Sequence, residues 1–190
     1  MKIVCVQGSP RKDGNSAKIA HCFTETAETC GASIQFFTLN SLVFKGCQAC
    51  LKCKTGMDEC VVNDSLAPVL AAVREADVLV MASPIYFGQI TGQLKCFIDR
   101  TFSFLKPDYM TSENPSRLEP GKKCVFILTQ GDPNSNMYAN VYKEYETFLK
   151  WYGYEMHCLR GIGLLEKTDA EHNEELMSET RNLAKKIVLG

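Results

Sequence analysis

Short apolar runs alternate along this chain with stretches in which apolar residues recur every three or four positions. The run Lys2-Ile3-Val4-Cys5-Val6-Gln7 reads as a buried strand. After it, Ile19, Ala20, Phe23, Ala27 and Cys30 fall on one face and predict an amphipathic helix over Ser16–Cys30. Strand patterns return at Ile34–Leu39, Asp77–Ala82, Cys124–Thr129 and Glu155–Leu159, which makes five with the first. Between and after them, helical patterns lie at Ser65–Arg74, Thr91–Leu105, Asn136–Trp151 and Asp169–Leu189, the last with Leu176, Leu183 and Ile187 on one face. Pro68 belongs in a first helical turn, which makes Ser65 or Asp64 the expected cap of the second helix.

Strand–helix alternation implies a parallel sheet covered on both faces. With right-handed crossovers, five strands predict an α/β doubly wound fold, a three-layer sandwich of strand order 2-1-3-4-5. No repeat, low-complexity run or linker interrupts the 190 residues, so the expectation is a single domain over residues 1–190. Residues 103–121 form a long insertion between the third helix and the fourth strand, read as a lid or dimer arm, with a disordered surface excursion as the alternative.

Ligands of such sheets sit at the carboxyl ends of the strands, where the strand order reverses. Three loops meet there. The first is Gly8–Ser16, between a strand and a helix start, where unpaired N–H groups and the helix dipole favour phosphate. Gly8 and Gly14 let the backbone bend and approach a ligand. Ser9, Asn15 and Ser16 add short polar side chains, Arg11 adds a fork that fits a phosphate, and Asn15 or Ser16 also suits the helix cap. The stretch is neither a Walker loop nor a Gly-x-Gly-x-x-Gly turn; an ordinary capped turn is the plain alternative.

The second loop, Ser83–Gly92, places Tyr86 and Phe87 after Pro84. Exposed aromatics are expensive unless they cover something, and a flat isoalloxazine ring suits them. Otherwise they fold inward or face a partner subunit. The third loop, Thr129–Asn134, is less specific and becomes a candidate for the far edge of a ring through its position.

Gly8-Ser9-Pro10-Arg11 followed by Gly14-Asn15-Ser16 resembles the phosphate loop of the flavodoxin-like, NADPH-dependent FMN reductases. Ser83-Pro84-Ile85-Tyr86-Phe87-Gly88, followed by Thr91-Gly92-Gln93-Leu94-Lys95, resembles their second flavin loop, and Lys95 and Asp99-Arg100 fit the same pattern. The resemblance implies FMN, with its phosphate at Ser9, Arg11, Gly14, Asn15, Ser16 and Ala17. It places the ring along Pro84, Ile85, Tyr86, Phe87 and Gly88, with Thr129, Gln130 and Gly131 at the far edge. The implied activity is that of an FMN-dependent oxidoreductase with NAD(P)H as a transient donor. No general acid, nucleophile or triad is visible, so no catalytic side chain is expected, and hydride or electron transfer needs none.

Composition adds one further feature. A net charge of −1 gives no reason to invoke nucleic acid or a membrane surface, and three scattered histidines suggest no histidine metal site. With a strand beginning at Lys2 and no run of transmembrane length, the expectation is a cytoplasmic protein. Ten cysteines are many, and a reducing cytosol disfavours a disulfide framework. Cys5, Cys96, Cys124 and Cys158 lie in apolar or amphipathic stretches and read as small core residues, whereas Cys22 and Cys30 lie on the first helix without a motif.

The other four, Cys47, Cys50, Cys53 and Cys60, stand as Cys-x2-Cys-x2-Cys-x6-Cys within fourteen residues, inside a cysteine-rich loop 46–61. Four thiolates so close suit one soft metal centre, zinc or iron–sulfur. Three cysteines at two-residue intervals plus a fourth are closer to [4Fe–4S] ligation, although the proline that follows the last cysteine of bacterial ferredoxins is missing. Zinc held by four thiolates and a set of free thiols stay open as alternatives. Placed between the second strand and second helix, the pattern resembles the iron–sulfur flavoproteins of anaerobes. That resemblance implies FMN, one [4Fe–4S] cluster per subunit, and homo-oligomers, a homodimer or homotetramer, in which cluster and flavin of neighbouring subunits come close. The leading reading passes electrons between the flavin and a small-molecule or ferredoxin-like donor and acceptor. Two competitors remain: an NAD(P)H-dependent FMN or quinone reductase without a cluster, and a redox sensor ordered by zinc.

Overall fold

A computed structural model describes all 190 residues. The strands are β1 (Lys2–Gln7), β2 (Ser33–Thr38), β3 (Val78–Tyr86), β4 (Gln89–Ile90), β5 (Lys123–Thr129) and β6 (Glu155–Gly161). The helices are α1 (Asn15–Thr29), α2 (Ala67–Glu75), α3 (Gly92–Arg100), α4 (Ala139–Leu149), α5 (Asp169–His172) and α6 (Glu174–Leu189). Five strands pair in parallel in the order β2-β1-β3-β5-β6, which is the expected 2-1-3-4-5 arrangement, and β4 adds a short antiparallel partner to the end of β3. The fold is flavodoxin-like.

Side chains alternate across a strand, and here the alternation divides the core in two. Val4 and Val6 of β1, with Leu79 and Met81 of β3 and Phe126 and Leu128 of β5, pack against Leu70 and Val73 of α2, Leu94 and Phe97 of α3 and Tyr145 of α4. Their neighbours Ile3, Cys5, Val78, Val80, Val125 and Ile127 face the other way, onto Ile19 and Phe23 of α1 and Leu176, Ala184 and Ile187 of α6. Each fully buried Val, Leu, Ile or Phe contributes about 1.5–3 kcal/mol.

Several boundaries differ from the periodicity, each for a local reason. α2 begins at Ala67 with Leu66 before it and no side-chain cap; Asp64 does accept from the Leu66 N–H at 3.0 Å, one turn early, and Ser65 does not cap. α3 ends at Arg100 and tightens into a 3₁₀ turn over Thr101–Phe104. The region before α4 is a turn whose last residue, Tyr138, has a left-handed backbone with φ 60°. The final helix is two helices, because the Asn173 side-chain oxygen accepts from the Leu176 N–H at 3.0 Å and caps α6 afresh. Residues 103–121 fold back on themselves: Leu105 bridges Ser116, the Arg117 N–H donates to Phe104 O at 2.7 Å, and Leu118 is buried, while Met110 lies at the exposed tip. No helix is long and apolar enough to cross a membrane.

Candidate active site

The turn between β1 and α1 is held by backbone contacts. The Gly8 N–H donates to Ala82 O at 2.8 Å, and Gly8 O accepts from the Thr91 hydroxyl at 2.7 Å. A β-carbon on Gly8 would stand 2.6 Å from Leu94 Cβ and 2.9 Å from Thr91 Oγ1, so only glycine lets this turn lie so close to the start of α3. Thr91 also caps α3 by accepting from the Leu94 N–H. The first and second loops are thus joined at their roots.

Ser9 is buried, its hydroxyl donating to Arg11 O at 3.2 Å and accepting from the Arg11 N–H at 3.1 Å. The residue preceding α1 is Gly14, which has no side chain to cap with, and the first turn carries no acidic residue. The expected cap from Asn15 or Ser16 is not made, because both residues lie inside the helix. Asn15 turns away instead: its amide donates to Glu166 O at 2.8 Å and Leu164 O at 3.3 Å, and its oxygen accepts from the Ala170 N–H at 3.0 Å. The N–H groups of Asn15, Ser16 and Ala17 therefore open the helix without a side-chain acceptor, with Ser16 buried beside them and Arg11 exposed on the same turn. That combination of free donors, dipole and guanidinium fits a phosphate.

The second loop is less of a loop than its proline suggests. β3 runs through Ser83, Pro84 and Ile85 to Tyr86, then reverses into β4, with Ile85 opposite Ile90 and Tyr86 opposite Gln89. The two turn residues, Phe87 and Gly88, have φ of 49° and 78°. Positive φ at both positions is the tight hairpin turn that matches strand twist. Phe87 is fully exposed at its tip and Tyr86 is 43% exposed, so neither ring folds into the core. Pro84 and Ile85 are half-buried at its base.

The third loop holds Thr129 and Gln130 nearly buried. The Gln130 amide donates to Asp132 O at 2.9 Å and Asn134 O at 3.0 Å, its oxygen accepts from Arg160 Nη2 at 2.9 Å, and its backbone N–H donates to Gly161 O. What this turn can offer a ligand is the edge at Gly131, where a β-carbon would stand 2.8 Å from Leu165 Cδ2.

The cysteine loop occupies the side of the molecule between β2 and α2. A cavity of about 150 Å³ is walled by Cys47, Cys50, Cys53 and Cys60 together with Arg100 and Phe102. Apolar residues make up most of the rest of its wall. The four side chains share this wall without closing on a single point. Ala49 and Leu51, with φ of 51° and 55°, carry backbone strain between the first three cysteines. Three cations brace the loop. Arg100 bonds Lys45 O, Val62 O and Asp64; Lys54 donates to Phe102 O and Leu105 O; Arg117 donates to Cys53 O at 2.9 Å. Burial opposes a low pKa at Asp64, but hydrogen bonds from Arg100 and from the Lys45 and Leu66 N–H groups outweigh it and hold the carboxyl below its usual value. Burial pulls Lys54 below its usual value. A larger groove of about 650 Å³ joins the two regions, since Cys47 and the hairpin residues Gln89 and Ile90 line it together with Phe148 and Trp151.

The other cysteines divide by burial. Cys5 and Cys124 are core residues as expected, with thiols pushed up by desolvation. Cys96 and Cys158 are only half-buried, although burial still pushes Cys158 up to about 12. The reading of the sequence did not single out the bracing of the cysteine loop by Arg100. A signal was present: Arg100 follows Leu94 and Phe97 on the buried face of α3, where a charge is costly without partners.

Comparison with known proteins bears on this geometry. The chain matches the family of NADPH-dependent FMN reductases over residues 1–140. An iron–sulfur flavoprotein of Archaeoglobus fulgidus is 34% identical over 104 residues, 55% of this chain and 47% of that protein. One from Methanosarcina thermophila is 34% identical over 101 residues, 53% of this chain and 52% of its own length. The chain thus spans about half the length of these relatives. Among solved structures, the FMN-dependent NADH-azoreductase of Bacillus anthracis in complex with FMN superposes with a TM-score of 0.75 at 19% identity, covering 99% of this chain and 100% of the other. The NAD(P)H:quinone oxidoreductase of Methanothermobacter marburgensis gives 0.74 at 14% identity, covering 98% and 96%. Such likenesses carry the fold, and the match to the first 140 residues carries the lineage: the chain belongs to the NADPH-dependent FMN reductase family.

Proposed function

We propose that this chain is an FMN-dependent oxidoreductase that moves electrons between a small-molecule or ferredoxin-like donor and acceptor, with an iron–sulfur cluster at its cysteine loop. The observation that carries the flavin reading is the uncapped start of α1, with Arg11 exposed on the same turn and the Tyr86–Phe87 hairpin rooted against it. In this reading Ser9, Arg11, Gly14, Ser16 and the N–H groups of Asn15 and Ala17 hold the phosphate. Pro84, Ile85, Tyr86, Phe87 and Gly88 lie along the ring, with Thr129, Gln130 and Gly131 at its far edge. Bound FMN supplies two-electron acceptance with one-electron release. The chain's own residues bind and orient it, and the exposed aromatics shield one face of the ring from water.

Cys47, Cys50, Cys53 and Cys60 would hold the cluster, which supplies one-electron chemistry. Its support is the cavity wall shared by the four cysteines and Arg100, and the soft thiolate chemistry, with Lys54 and Arg117 bracing the loop through backbone carbonyls. Cys47 also lines a groove with Gln89 and Ile90, the return strand of the hairpin. NAD(P)H as a transient donor, assembly into a homodimer or homotetramer, and a place in the reducing cytoplasm complete the proposal. One observation favours a second reading, a flavin or quinone reductase without a cluster: the four sulfurs do not converge on a point.

Anaerobic purification with paired flavin and iron assays separates these readings. The expected result is one FMN and roughly four irons per chain, as four-thiolate ligation implies. FMN without iron, and brisk NADPH oxidation, selects the second reading. A colourless chain that takes up no FMN overturns both.

A further inference from the structure

We propose that Arg100 is a positioning residue for the iron–sulfur site: its Nε–H donates a hydrogen bond to the sulfur of Cys60 in the loaded protein and raises the reduction potential there. This rests on the cluster reading above and goes beyond it in naming what sets the potential. Arg100 is 1% exposed, at the end of α3. Nη1 donates to Lys45 O and Asp64 Oδ2, both at 2.9 Å, and Nη2 to Val62 O at 2.8 Å. These bonds fix the chain just before Cys47 and just after Cys60, so one planar group staples both ends of the cysteine loop. Nε alone has no partner, although it is buried.

A buried N–H without an acceptor is costly, and native chains rarely leave one so. Arg100 lines the same cavity as the four cysteines, and Cys60 is the sulfur beside the guanidinium. The missing acceptor is therefore a cysteine sulfur in the state in which the loop holds its metal. Added negative charge on that sulfur strengthens an N–H donor contact, so the donor favours the reduced state. Asp64 works against it, because its carboxylate partly neutralises the same guanidinium across 2.9 Å.

The test is an anaerobic titration of the reconstituted full-length chain with dithionite as reductant, followed by electron paramagnetic resonance, for wild type, Arg100→Gln and Asp64→Asn. Arg100→Gln is expected to lower the reduction equilibrium constant by about tenfold, equal to about 59 mV for one electron. Asp64→Asn is expected to move it the opposite way. A merely structural staple predicts that both variants loosen the loop and shift the potential in the same direction, and that result overturns the assignment. An unchanged potential in Arg100→Gln also overturns it. If that variant does not load, the Asp64→Asn potential decides alone, and no rise overturns the proposal. Wild-type chain that binds FMN but incorporates no iron and sulfide overturns the cluster reading and this inference together, while leaving the flavin reading standing.

Discussion

Phe87 holds a left-handed backbone with its ring wholly in solvent, two costs that a folding chain has no reason to combine. Replacing it by glycine removes the steric cost, about 1–2 kcal/mol per residue with a β-carbon. Phe87→Gly is therefore expected to raise the urea midpoint while weakening FMN retention several-fold, and equilibrium unfolding beside flavin titration measures both. At the phosphate turn, Arg11→Ala combined with Ser16→Ala is expected to weaken FMN retention by about tenfold, near 1.4 kcal/mol. Unchanged affinity moves the phosphate site elsewhere. Asp64 sets a pH dependence. Its folded pKa lies below the unfolded value of about 3.9, so its contribution to stability is complete above that value. It disappears as pH falls through the depressed folded pKa. Urea unfolding of wild type and Asp64→Asn should thus differ at neutral pH and converge in acid.

At the scale of elements, the close approach of the β1–α1 turn to α3 is the tightest constraint. Gly8→Ala forces its new methyl against Leu94 and Thr91, and overpacking of this kind costs about 1–3 kcal/mol. Chemical denaturation of the apo chain measures that loss, and flavin affinity should fall with it, because the same contact roots the hairpin. The elements also show what can be read from a chain in advance. The sheet order was legible because apolar runs such as Val78–Ala82 are buried on both faces, and the turn between β1 and α1 was legible as a turn because its glycines and serines are adjacent in sequence. The extension of β3 was not. Pro84 reads as the end of a strand, yet it sits beside Thr129 in a parallel pair and the strand continues to Tyr86. The role of Asn15 was hidden for a different reason: its partners Leu164, Glu166 and Ala170 lie far along the chain, and no local period reports such a pairing. Arg100 was visible only as a charge on an apolar stripe, which says that partners exist without saying which.

Taken as a whole, the molecule distributes one function over distant stretches of chain. Cys47 and the hairpin meet in a groove, although β3 and the cysteine loop are separated by α2. The amide of Asn15, at the mouth of the turn between β1 and α1, is tied to the segment between β6 and α5 and to α5 itself. The family match ends at residue 140, before that segment begins. A fragment cut at that point would keep the three loops and the cysteine motif and lose nearly all of α4, with β6, α5, α6 and the anchor of α1. The expectation is that this truncated chain fails to retain FMN, whereas adding back residues 141–190 as a separate peptide restores some retention; fluorescence of released flavin follows both. In the proposed reading, the grip on the anion is on loan from a stretch beyond the family match, and exchanging that stretch between relatives is expected to reset cofactor affinity without touching a residue of the three loops.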